Sequence, residues 1–453
     1  FNLENLEFND SDSFEADFSE SQQNELVQDS DPLTVETEIY SENANLLAGD
    51  QSSFEATQFE EFGQSVLTNE ISGRSNSKSK LLRKYGGNSA SESAVELALE
   101  WLADHQDTRD GGWWLDHQIG PKVNDRPRTS PDPGQVGDYR IAATSLALLP
   151  FLANGQTHRN GKYKKVVFDG LSFLMNADFV SDRVTKRGLD YRDDRSNPRG
   201  RGIYSHGLAT LVFTECYAMT RDEKLRDFAL GAIKFIEDFQ DPVNGGWRYE
   251  RRDPGDTSVL GWQVMALKSG RLCGFELNKK PFNLAKKFLK DVSLDYGAYY
   301  GYADEPSLSP NKNYRADYRA TTAVGLLCSM YLGVEKENKG ITKGVEWLSK
   351  LEPDVLDQST DIVDVYYNYH ATQVLKHYGG EKWTKWNSVM RDFLIDSQSK
   401  DGPSKGSWFY DGFFNPDGGR LYTTSLCCLT LEVYYRYLPL FKDDITDEEF
   451  ILD

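Results

Sequence analysis

Between Tyr366 and His370 the chain reads Tyr-Tyr-Asn-Tyr-His, three phenols and an imidazole within five residues. Such groups need polar partners if buried, so the cluster is a candidate site and not simply core. Asp361 and Asp364 stand just before it, and a second histidine, His206, follows Tyr204 in a similar setting. Imidazoles titrate near neutrality in ordinary surroundings, which makes His206 and His370 candidate proton carriers beside the two carboxylates. Aromatic faces attract cations by about 0.5 to 2 kcal/mol each. A lining of this kind suits carbocation chemistry or the stacking of a sugar ring.

The elements that must position these residues show in a repeat. Phe235-Ile236 ends an apolar helical stretch, Gln240 follows at i+5, and Gly245-Gly246-Trp247 closes the unit. The same grammar recurs at Trp101-Leu102, Gln106 and Gly112-Trp113, and more loosely at Phe393-Leu394, Gln398 and Gly406-Ser407-Trp408. With any polar residue allowed at i+5, Phe173, Phe288 and Trp347 begin three more units, so the aromatics are spaced by 72, 62, 53, 59 and 46 residues. That period fits a helix pair plus a variable loop.

Six amphipathic outer helices are expected at roughly 92–106, 163–177, 224–240, 281–293, 340–351 and 383–398, the first capped by Ser91. Between them lie segments that open with small or hydroxylated residues and continue almost wholly apolar, starting near Ala142, Tyr204, Thr257, Ala320, His370 and Thr423. A helix that is apolar all round is buried on all sides. Two concentric rings follow, an all-α α6/α6 toroid, whose closure removes the need to cap an open solenoid. In it the glutamines bond to the adjoining turns and the tryptophans pack over them.

Aromatic-Leu-x3-Gln followed by Gly-x-Trp resembles the repeat of the squalene-hopene and oxidosqualene cyclases, shared more loosely with protein prenyltransferase β subunits. The likeness covers residues 91 to 440 and includes Asp256-Thr257-Ser258-Val259-Leu260-Gly261-Trp262. The chain as a whole is most similar to bacterial proteins with prenyltransferase or squalene-cyclase repeats, whose activity the resemblance does not supply. Likeness to the cyclases implies an Asp-x-Asp-Asp acid motif. The nearest stretch is Asp361-Ile362-Val363-Asp364, where Val363 stands in place of the expected proton donor. An alkene is a weak base and needs a sharpened carboxylic acid. The prenyltransferase likeness implies a zinc site of Asp-x-Cys with a distant histidine. No Asp lies two residues before any of the five cysteines, so neither metal nor cofactor is expected. The Cys-Gly-Glu-Gln thioester motif is also absent.

A toroid has a central cavity, and the inner-helix openings place Asp138, Tyr139, Tyr204, Asp256, Trp262, Asp317, Tyr318, Tyr366, Tyr367, Tyr369, Arg420 and Tyr422 around it. Asp138, Asp256 and Asp317 are equally readable as helix N-caps, with an ion pair inside each Asp-Tyr-Arg triplet. The proline-rich loop from His117 to Gly137 is long enough to lid the mouth, as is the Arg192–Arg201 stretch.

The formal charge of −20 is unevenly spread, since residues 1 to 73 hold 18 Asp or Glu and no Lys or Arg. This argues against nucleic acid and anionic membranes as partners. The arm reads as disordered when free, yet Phe14, Phe18, Phe54 and Phe59 punctuate it in two versions of one acidic-aromatic motif. Such segments dock aromatics on a protein partner or a second copy; a solubilising arm is the alternative. Domains are expected as the arm at 1–73, a basic linker at 74–90, the toroid at 91–440 and an acidic tail at 441–453. No apolar run reaches the roughly 18 residues of a membrane span. The five cysteines read as reduced core residues. Because the chain begins with Phe1, a processed and exported product is expected, with a cytoplasmic one still open. Three functions remain: a binding or assembly module, an enzyme on isoprenoid or lipid-like substrates, and a glycan-binding or glycan-cleaving toroid.

Overall fold

The computed structural model describes residues 74–122, 128–176, 183–194, 200–303, 318–356, 362–412 and 414–436. The acidic arm with Phe14, Phe18, Phe54 and Phe59, the loop residues Asp317 and Asp361, and the acidic tail lie outside them. The described residues all belong to the compact unit that spans 64–453.

The outer helices are α2 (Ser89–Asp104), α4 (Lys164–Met175), α6 (Glu223–Phe239), α8 (Lys279–Asp291), α10 (Lys339–Leu351) and α12 (Gly380–Ser397). The inner ones are α3 (Arg140–Ala153), α5 (Ile203–Thr220), α7 (Thr257–Leu272), α9 (Arg319–Tyr331), α11 (Val365–Tyr378) and α13 (Asn415–Leu431). Each inner helix packs on the next, and α13 returns to α3. The chain is an all-α α/α toroid. Small antiparallel ribbons, β1 (Val184–Thr185) with β2 (Gly188–Leu189) and β3 (Ser293–Leu294) with β4 (Tyr299–Tyr300), replace the Gly-x-Trp turn in two repeats.

Several boundaries differ from the sequence reading. α11 begins at Val365 because Asp364 caps it, so Tyr366, Tyr367 and Tyr369 sit on the helix and not in a loop before it. α13 begins at Asn415 and turns at Gly419 (φ 64°), a kink that only glycine takes cheaply. The first outer helix is capped by Asn88, whose Oδ1 accepts from the Ser91 N–H (2.9 Å), and Ser91 returns the bond to the Asn88 N–H (3.0 Å). The basic linker is largely a helix, α1 (Arg74–Lys84), packed against the short α14 (Val433–Arg436).

The glutamines and tryptophans bind one repeat to the next. Gln240 Nε2 donates to Gly245 O (2.8 Å) in its own turn and to Pro281 O (3.0 Å) on the next outer helix. Gln106 does the same to Gly111 O and Val166 O. Gln398 reaches Gly406 O (2.9 Å) and Ala94 O (2.8 Å), so the last repeat is tied to the first. Trp113, Trp247 and Trp408 are fully buried, each donating its indole N–H at 2.8 Å to the outer-helix carbonyl of Leu102, Ile236 or Leu394.

Close packing of the two rings needs small residues. A Cβ on Gly325 of α9 would meet the Tyr300 ring at 2.2 Å, so the ring's seat exists only because this residue has no side chain. All five cysteines are buried and free. Among the described residues no helix is long and apolar enough to cross a membrane.

Candidate functional site: a tyrosine-ringed mouth

The inner helices α5, α7 and α11 bring their N-terminal ends together at one mouth of the toroid. Asp256 caps α7, with Oδ1 accepting from the Val259 N–H (2.8 Å) and the Ser258 hydroxyl (2.8 Å). Its Oδ2 accepts from Tyr302 (2.9 Å), with the Arg248 Nε at 3.9 Å. Burial pushes the Asp256 carboxyl above its ordinary value, opposed by those hydrogen bonds and by Arg248. From this carboxylate two chains run outward. Tyr302 meets Tyr249 (2.9 Å), and Ser258 meets Tyr204 (2.7 Å). The Tyr204 and Tyr249 rings lie 6.5 Å apart, and Tyr366 reaches over from α11 to Ser258 O (3.4 Å).

Below this layer buried side chains of α7 and α11 meet across the space between the inner helices. Trp262 stacks on Tyr369 at 6.0 Å, and His370 lies edge-on to Trp262 at 5.6 Å and beneath Tyr366 at 4.3 Å. The Tyr369 hydroxyl accepts from Arg436 (3.2 Å), which is buried and paired with Glu215 of α5 at 2.8 Å. Thus α14 closes the toroid from the end opposite the mouth with an ion pair whose partners face each other away from water. A void of about 10 Å³ lies to one side, lined by Val363, Val365, Asn368, Met390, Phe393, Leu394, Tyr410, Cys427 and Thr430. It has room for one water at most.

The sequence-derived candidates divide accordingly. Tyr204, Asp256, Trp262, Tyr366, Tyr369 and His370 come together. His370 Nδ1 donates to Tyr366 O (2.9 Å), and its Nε2 has no hydrogen-bond partner among the described residues. Tyr422 on α13 is half-buried, near enough to Tyr366 for the two phenols to affect each other's ionisation.

His206 is elsewhere. Its Nδ1 accepts from the Tyr191 N–H and its Nε2 donates to Ala232 O, both at 3.0 Å. Thr144, Thr322 and Thr424 accept the same kind of bond from Trp113, Tyr300 and Trp408, so His206 is a repeat position filled by imidazole. The near-neutral titration expected of both histidines is corrected, because burial pushes His206 and His370 down to about 4.

The expected cap at Asp138 is also corrected. Asp138 is exposed, and the N-terminus of α3 is capped from another repeat by Asp193, whose two oxygens accept from the Ile141 (3.1 Å) and Ala142 (2.9 Å) N–H groups. Arg140 pairs with Asp110, not Asp138, and stacks on Trp114. Tyr139 contacts Asp194 at 3.4 Å on the rim, and Tyr318 directly precedes α9, where its carbonyl accepts from Thr322 (2.9 Å).

Asp364 accepts from the Tyr367 N–H (2.9 Å) and lies 3.6 Å from Arg319, which pairs more closely with Asp354 (2.8 Å). Tyr367 turns outward to Trp386 and Glu352 O, away from the mouth. Arg420 clamps the ring closed through Asp132, Pro131 O (3.1 Å) and Ser407 (3.2 Å). The described residues of the His117–Gly137 loop form the other half of that clamp: Arg128 donates to the carbonyls of His105, Gln106, His117, Ile119 and Pro121.

Sequence reasoning missed Arg248, Tyr249, Ser258 and Tyr302. Arg248 and Tyr249 directly follow the Gly-x-Trp turn and Tyr302 follows β4, so the turns that staple the repeats also deliver side chains to the mouth. Among the described residues no group of three His, Cys, Asp or Glu is placed to hold a metal ion.

No protein-family profile matches the chain, and no curated protein sequence does. Solved structures do. The cellobiose 2-epimerase of Bacillus thermoamylovorans B4167 superposes with a TM-score of 0.51 at 14% identity, over 76% of this chain and 97% of that one. An inactive variant of the α-1,6-mannanase GH76A of Salegentibacter sp. HEL1_6, bound to α-1,6-mannotriose, gives 0.50 at 9% identity, over 76% and 98%. What they share is the α/α toroid. A type II terpene cyclase from Scytonema, in complex with geranylgeranyl dihydroxybenzoate, matches with a TM-score of 0.44 at 12% identity, over 77% and 97%.

Proposed function

We propose that this chain is a non-catalytic binding module that takes a neutral oligosaccharide at the tyrosine-ringed mouth of the toroid. The observation that carries this reading is the commitment of the mouth's carboxylates to structure. Asp256 and Asp364 each accept from a helix N-terminus, and the His370 imidazole beneath them is buried with its Nδ1–H given to Tyr366 O. What remains is a shallow polar surface with aromatic faces, suited to hydroxyl groups and to the apolar face of a sugar ring. The isoprenoid alternative needs a long dry cavity and Asp361 with Asp364 as acids. Against it stand Trp262, Tyr369, Arg436 and Glu215, buried side chains that meet one another between the inner helices. The acidic arm, with Phe14, Phe18, Phe54 and Phe59, serves as the tether to a protein partner or a second copy.

The test is calorimetric titration of the full chain with α-1,6-mannotriose and cellobiose, followed by chromatography of the mixture. Binding without any new product is expected. A product would make the chain an enzyme, and absence of binding to both would overturn the ligand class. Removal of residues 1–73 is expected to abolish partner recovery in a pull-down while leaving sugar binding and the melting temperature unchanged. An unaltered partner set would refute the role of the arm.

A further inference from the structure

The hydrogen-bond directions at the mouth decide which kind of ligand group it can receive. A carboxylate only accepts, and a phenol or hydroxyl has one proton to give. Tyr302 gives its proton to Asp256 Oδ2 (2.9 Å), so its oxygen receives the proton of Tyr249 (2.9 Å). Ser258 gives its proton to Asp256 Oδ1 (2.8 Å), so its oxygen receives that of Tyr204 (2.7 Å). Both outer phenols therefore point their single protons inward and turn lone pairs outward.

A surface of acceptors could receive a hydroxyl or an ammonium group. Arg248 decides between them. Its guanidinium lies 3.9 Å from Asp256 and 5.8 Å from the centres of both the Tyr249 and Tyr302 rings, so the aromatic and carboxylate attraction for a cation is already used by the chain's own charge.

We propose that Tyr204 and Tyr249, with rings 6.5 Å apart, form a subsite that accepts hydrogen bonds from hydroxyls of a neutral sugar and disfavours an amino sugar. It rests on the binding reading above and deepens it. Tyr302 and Ser258 are positioning residues: by taking the phenolic protons they keep the outer oxygens in the accepting state.

The experiment titrates full-length wild type, Tyr204→Phe, Tyr249→Phe and Tyr302→Phe with α-1,6-mannotriose and cellobiose. Each outer substitution is expected to weaken binding about fivefold, the worth of one ordinary hydrogen bond. Tyr302→Phe leaves Tyr249 free to turn its proton outward and is expected to weaken binding as well, with an unchanged far-ultraviolet spectrum. Tyr300→Phe is the control, because that phenol is buried on Ser329 away from the mouth, and its affinity is expected to equal wild type. Chitobiose stripped of its acetyl groups, which carries two ammonium groups, is expected to bind no tighter than cellobiose.

If wild type binds sugar and Tyr204→Phe and Tyr249→Phe bind it equally well, the subsite is wrong while the binding reading stands. Tighter binding of the deacetylated sugar overturns the preference for a neutral ligand. If wild type binds neither probe, both readings fall.

Discussion

Replacing Gln398 by Leu tests whether the ring is closed in solution. Its Nε2 donates to Gly406 O in its own repeat and to Ala94 O in the first, 304 residues away in sequence. Leu fills a similar volume but donates nothing, so two buried carbonyls lose a partner. Each costs about 1 to 3 kcal/mol if water cannot replace the donor, giving roughly 2 to 6 kcal/mol. Gln240→Leu provides the comparison, because it breaks the same pair of bonds between two consecutive repeats. Equilibrium urea unfolding, followed by tryptophan fluorescence and far-ultraviolet circular dichroism together, should show both variants destabilised to a similar degree. If Gln398→Leu costs under about 0.5 kcal/mol while Gln240→Leu costs its full share, water reaches the seam and the ring is open there.

Other outcomes follow from the same contacts. Arg128→Met removes a buried guanidinium that donates to five backbone carbonyls, and is expected to cost more than about 3 kcal/mol, measured by the same unfolding transitions. Asp193→Ala uncaps α3 and is expected to cost about 1 to 2 kcal/mol. The pH dependence has two opposed contributions. His206 and His370 are held near 4 in the folded chain against 6.5 unfolded, so their stabilisation is complete above pH 6.5 and declines as pH falls towards 4. Asp193 is raised from 3.8 to about 6, so the folded chain binds its proton first and gains stability as pH falls through that window. Unfolding midpoints between pH 7.5 and 4.5 should therefore fall less steeply in His206→Thr and more steeply in Asp193→Asn; the reverse order would contradict the assigned directions.

The sequence by itself determined the ring. Repeated Gln and Gly-x-Trp spacings, and the alternation of amphipathic with wholly apolar segments, are local signals, because helix period and turn chemistry act over a few residues. All six outer and six inner helices were legible in this way, with boundary errors where a helix begins further upstream than its apolar run, as at Asp364, Asn88 and Asn415. Tertiary structure decided what the polar residues do. Asp193 caps a helix more than fifty residues before it, His206 fills a position where other repeats use threonine, and Arg420 bonds across the seam to Pro131 and Asp132. The burial of Arg436 with Glu215 was equally hidden, since a charge this deep is tolerable only beside a partner that lies 221 residues away in sequence. Spacing along the chain says which face a residue takes; which group meets it there depends on how the ring closes.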